Sequence, residues 1–100
     1  MKPHVFHPDA REEYIQAVYY SAVAPELGGR LYDEIERLIQ EIRREPKRFF
    51  QFSPPVRRAL ARRFPYSVVY LEEPERVWIV AIMHGKRRPG YWRERLDKMG

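Results

Sequence analysis

The stretch RVWIVAIM, residues 76–83, constrains the fold more than any other part of the chain. Its seven successive apolar residues are rich in β-branched side chains, and the turn-forming EEPE (72–75) precedes them. Such a run reads as a central strand buried on both faces. It therefore requires neighbouring strands on each side and other elements packed above the sheet.

Two helical stripes can supply that packing. In DAREEYIQAVYYSAVA, the residues Ala10, Tyr14, Ala17, Val18 and Ala22 recur at three- and four-residue steps. Asp9 either caps this helix or favours its dipole, and Glu12 and Glu13 occupy its first turns. Pro25 interrupts the pattern. A second stripe runs through Leu27, Leu31, Ile35, Leu38, Ile39 and Ile42, with Glu34, Arg37, Glu41 and Arg44 off it and Pro46 ending it. The pair reads as an αα-hairpin with an apolar face on each helix. Gly28 and Gly29 mark either the start of the second helix or a close approach between the two.

PHVF (3–6) is a short extended run before the first helix. After Pro46, KRFFQFSPPV reads as a loop whose phenylalanines tuck over a core edge. VRRALARR (56–63) and YSVVYL (66–71) are strand candidates, and the tail GYWRERLDKMG predicts a short helix with Tyr91, Trp92 and Leu96 inward. The expectation is one α+β domain over residues 1–100: an N-terminal strand, a helical hairpin packed on a mainly antiparallel four-stranded sheet, and a short C-terminal helix.

Charge divides unevenly along this order. Residues 1–46 hold six Lys/Arg and nine Asp/Glu, whereas residues 47–100 hold thirteen and five, so the halves carry −3 and +8. A basic sheet half invites an acidic partner, either nucleic acid or an acidic protein segment. With no cysteine, disulfides, thiolate zinc sites and cysteine nucleophiles drop out. Three histidines are too few convergent ligands for zinc, Gly28-Gly29 lacks a P-loop's lysine, and no nucleophile motif surrounds Ser21, Ser53 or Ser67. No metal or cofactor is expected. Neither a signal peptide nor a membrane span is legible, so no membrane partner is expected and the expected location is cytoplasmic.

Alternation along 56–63 puts Arg58 and Arg62 on one face with Val56 and Leu60, and Arg57 and Arg63 on the other. His84, Lys86, Arg87 and Arg88 follow the apolar strand, and Tyr91 follows a Pro-Gly turn. A histidine that titrates near neutrality, arginines and a tyrosine are the parts of metal-free RNA cleavage. The same residue types also suit a protein interface. Trp92 reads as a core anchor, and Arg93 and Arg95 as solvated charges.

The segments FHPDAREEY, GRLYDEIERLIQEIRREPKRF, VRRALARRFPYSVVY and VWIVAIMHGKRRPGYWRERL together resemble the RelE/ParE superfamily of bacterial type II toxin–antitoxin modules. RRFPYSVVY and AIMHGKRRPGYW are the most specific pieces. The resemblance implies a small α+β toxin, neutralised by a cognate antitoxin that wraps it with an acidic, amphipathic segment. RelE-like members cleave messenger RNA on the ribosome; ParE-like members poison DNA gyrase without being nucleases. A third possibility is a toxin fold that has lost toxicity. For the nuclease branch, the resemblance implies a catalytic set of Arg58, Arg62, His84, Arg87 and Tyr91, with the arginines on phosphate and His84 or Tyr91 moving protons. Leu60 and Ser67 depart from that branch, which has a lysine and an arginine there.

Overall fold

A computed structural model describes residues 1–21 and 25–97 of the chain. Ala22, in the first stripe, and the last three residues of the tail lie outside the described residues. In chain order the elements are β1 (His4–Phe6), α1 (Pro8–Ser21), α2 (Pro25–Arg44), β2 (Phe50–Ser53), β3 (Val56–Leu60), β4 (Tyr66–Glu72), β5 (Val77–His84) and α3 (Glu94–Asp97). The sheet runs β1-β5-β4-β3-β2; β1 pairs parallel with β5, and every other pairing is antiparallel.

The sheet has five strands among the described residues, not four. The expected loop after Pro46 contains β2, a short edge strand paired with β3 through Phe50↔Arg58 and Ser53↔Val56. Its prolines, Pro54 and Pro55, lie in the turn between the two strands, where no ladder donor is needed. Phe49 and Phe52 do tuck inward, onto opposite faces of the sheet, while Phe50 is 68% exposed.

At the other end of this hairpin, β3 stops at Leu60. Arg63 adopts a left-handed backbone with φ of 66°, which a strand residue cannot hold, and the chain turns away before Tyr66. Arg62 and Arg63 therefore leave the strand, and the expected alternation applies only as far as Leu60.

α1 begins one residue before Asp9, and the cap is His7. Its Nδ1 accepts the backbone N–H of Asp9 at 3.0 Å, which leaves Asp9 to favour the helix dipole from the first turn. Proline at the first position of α1 and of α2 fits a place where the missing N–H would have had no helical partner. Gly29 lies inside α2, and a Cβ there would meet nothing within 4 Å, so close helix approach is not what it serves.

The helices cover one face of the sheet. Leu31, Ile35, Leu38, Ile39 and Ile42 from α2 and Ala10 and Ala17 from α1 bury against Ala59, Val68, Tyr70, Val77, Ile79 and Ile82. On the opposite face Trp92, fully buried, packs with Val56, Val69, Val80 and Ala81, joined by Phe52, Leu71, Met83 and Leu96. The tail thus caps a second, smaller core. A bulge in β5 shapes both faces: Val69 pairs with Ala81 and Tyr70 with Ile79, leaving Val80 as the extra residue. Val80 and Ala81 both join the tail-side core, and Ile82 returns to the helix side. The end of β5 is thereby re-aimed by one position before the chain enters His84.

Candidate functional site

The tail and the β3–β4 hairpin enclose a cavity of about 460 Å³ at the end of the sheet, on the face turned away from the helices. Its floor is a row of directly paired residues, Leu60, Ser67 and Met83, from β3, β4 and β5. These strands set the floor because Leu60 follows Val56 and Arg58 on the tail-side face, and Ser67 precedes Val69 and Leu71. The floor is apolar apart from the Ser67 hydroxyl.

Three arginines line the cavity, and each lies on an aromatic ring. The Arg58 guanidinium is 4.9 Å from the Phe52 ring centre, Arg87 is 3.9 Å from Tyr91, and Arg93 is 5.2 Å from Trp92. Among the described residues none of the three has a carboxylate within ion-pair distance. Aromatic faces hold such cations with about 0.5–1 kcal/mol at exposed sites and leave the N–H fork available. The site is therefore unneutralised, with positive charge on its walls and apolar surface beneath. Gly90, at φ of 75°, makes the turn that returns the chain to Trp92; a Cβ there would stand 2.6 Å from the Arg93 Nε.

His84 reaches the cavity at its rim, from the end of β5, and on its other side lines a cleft against α1 with Glu12, Glu13 and Arg87. Its ring stands edge-on to Tyr66, with centroids 5.0 Å apart, and its Nδ1 accepts the Lys86 backbone N–H at 3.0 Å. A neutral ring held this way carries its proton on Nε2 and has no free lone pair.

Arg58, His84 and Arg87 are thus brought together, and two other residues selected from sequence are not. Arg62 faces α2: its backbone N–H donates to Glu34 Oε2 at 2.6 Å, and it lines a separate cleft with Arg30, Arg37 and Arg63, across Phe64 from the first. Arg37 holds the Glu34 carboxyl below the usual range, helped by that N–H bond. Tyr91 points its hydroxyl toward α1, where it donates to Glu13 Oε2 at 2.8 Å. Burial, reinforced by the bond to Glu13, raises its pKa far above that of an ordinary tyrosine. Only the ring of Tyr91 bears on the site, as the platform under Arg87.

Arg93 lines the site and is exposed, in keeping with the solvated charge its place in the tail suggests. Arg95 departs from that reading. Its side chain is only 12% exposed, and it donates to Glu13 and to the Val80 carbonyl. Adjacency to Trp92 is a local signal for Arg93; nothing local signals the pairing of Arg95 with a residue 82 positions away. No three of His, Asp and Glu converge as metal ligands among the described residues, and no helix there is long and apolar enough to cross a membrane.

Residues 5–89 match the family model described as the ParE toxin of the type II toxin–antitoxin system, parDE. The chain belongs to the ParE toxin family. No curated protein matches it at a significant level. Among solved structures it is similar to the chromosomal ParDE toxin–antitoxin system from P. aeruginosa, with a TM-score of 0.73 and 16% identity over 84% of this chain and 96% of that one. At that identity the likeness concerns the fold, which is the ParE fold. Membership of a ParE family implies a cognate antitoxin as partner.

Proposed function

We propose that this ParE-family toxin acts by binding DNA gyrase and blocking it, without cleaving RNA. One observation carries this reading: both candidate proton carriers are committed elsewhere. The Tyr91 hydroxyl donates to Glu13, away from the cavity, and the His84 Nδ1 lone pair is taken by the Lys86 N–H. Cleavage without a metal needs a base for the 2′-hydroxyl and an acid for the leaving oxygen. The Leu60–Ser67–Met83 floor adds neither a cation nor a strong acid.

The same features suit an interface. Arginines with no ion pair among the described residues, seated on aromatic rings around an apolar depression, are the residue types that dominate binding energy at protein contacts. The +8 charge of residues 47–100 also supports neutralisation by an acidic, amphipathic antitoxin segment. Action on gyrase would place the toxin in the cytoplasm.

The competing reading, ribosome-dependent cleavage of messenger RNA, draws on Arg58, His84 and Arg87 sharing one cavity. Primer extension on transcripts from translating ribosomes separates the two. The expected result is intact message at toxin concentrations that arrest growth. Cleavage by the wild type that His84→Ala or Arg87→Ala abolishes would establish the nuclease instead.

A further inference from the structure

β1 covers only Val77, Trp78 and Ile79 of β5, so among the described residues the backbone edge of β5 beyond Ile79 has no strand beside it. Two side chains take the place of one there. The Ile82 N–H donates to Glu13 Oε1 at 3.1 Å, and Arg95 Nη1 donates to the Val80 carbonyl at 2.9 Å. Arg95 is joined to both oxygens of Glu13, at 2.9 and 2.8 Å. With the Tyr91 hydroxyl added, a single carboxylate from α1 accepts four hydrogen bonds, three of them from the tail. Its side chain is only 15% exposed, where charge-assisted bonds of this kind are strong and geometrically exacting.

The network reaches the cavity through one ring. Tyr91 is anchored by its hydroxyl to Glu13, flanked by Arg95 at 5.1 Å, and it carries Arg87 at 3.9 Å. Arg87 has no ion pair among the described residues to fix it otherwise. We infer that Glu13 is a positioning residue for the basic cavity, holding the Tyr91 ring at the angle that turns the Arg87 guanidinium into it. Glu13 need not touch what the cavity binds. The functional consequence rests on the cavity being the toxin's working surface, whereas the geometric one does not.

Glu13→Gln keeps the side chain's size but replaces one acceptor with a donor, which then faces Arg95 together with either the Ile82 N–H or the Tyr91 hydroxyl. Tyr91→Phe keeps the ring and removes only its anchor. In the purified protein, NMR reads the Arg87 δ and ε protons, which the Tyr91 ring, with its centre 3.9 Å from the guanidinium carbon, shifts upfield. Both substitutions are expected to move these resonances toward random-coil positions, while the methyl signals of Ile35 and Leu38 in the helix-side core stay unchanged. Gyrase inhibition should weaken about tenfold in Glu13→Gln, as in Arg87→Ala, and the double variant should be no weaker than either single one. Unchanged Arg87 resonances in both variants, or losses that add in the double variant, would overturn the inference. A wild type that leaves gyrase untouched would overturn the functional proposal, and the Arg87 resonances would then decide the positioning role alone.

Discussion

The two faces of the sheet are made of different material. On the helix side, α2 lays five fully or almost fully buried aliphatic residues across β3, β4 and β5. On the tail side, a smaller core around Trp92 gives way to a cavity ringed by Arg58, Arg87 and Arg93. Apolar burial of the first kind stabilises at roughly 25 cal/mol per Å². Cations without carboxylate partners add little to stability and repel one another. The helix face therefore supports the fold, and the tail face is free to carry charge for a partner.

Substitutions test this contrast in descending order of their effect on stability. Ile35→Ala, at a position with no exposure, should cost about 3–4 kcal/mol in a urea titration. A loss below about 1 kcal/mol would mean that the helix face is not the main support. Tyr70→Phe comes next, because the buried Tyr70 hydroxyl donates to the Pro46 carbonyl at 2.6 Å and fastens the segment just beyond α2 to the sheet. Its pKa is pushed up to about 12, chiefly by burial. Loss of that bond should cost about 1–2 kcal/mol.

A smaller effect comes from His4, packed edge-on to Phe6 on β1. Burial, with Arg43 nearby, holds its pKa below the ordinary value. The unfolded chain therefore takes up a proton at a higher pH than the folded one, and stability falls as pH drops through the ordinary histidine range. Thermal unfolding at pH 7.5 and 5.5 should show His4 contributing a drop of less than about 4 °C, absent in His4→Asn. An equal drop in both proteins would assign the effect to other groups. At the bottom of the scale, Arg58→Ala and Arg93→Ala should cost no more than the ring contact each loses, at most about 1 kcal/mol, while weakening growth inhibition. If they unfold the protein, the tail face is structural and the contrast collapses.

Sequence made these faces legible to different depths. The α2 stripe and the β5 run could be read because each depends on local periodicity. The β5 bulge could not, since an extra residue in an apolar run changes hydrogen-bond register without changing composition. The prolines of its own turn hide β2, and the strand pattern over 56–63 overruns β3 by three residues because a left-handed Arg63 looks like any other arginine in such a pattern. At the site, Arg58, His84 and Arg87 were accessible as basic residues on or just beyond strands that the sheet aligns. Arg62 and Tyr91 were separated from them by a turn and by a hydroxyl committed to Glu13. The Glu13–Arg95 pair joins the two ends of the chain, so only the folded topology reveals it.

The central claim is that the cavity binds a target and does not perform chemistry on it. Supercoiling by purified gyrase, with wild-type toxin and with His84→Ala at micromolar concentration, tests it most directly. Inhibition by the wild type that persists within about threefold in His84→Ala is the predicted result, because a ring whose lone pair is already occupied contributes contact and not proton transfer. Unimpaired supercoiling with the wild type would contradict the account.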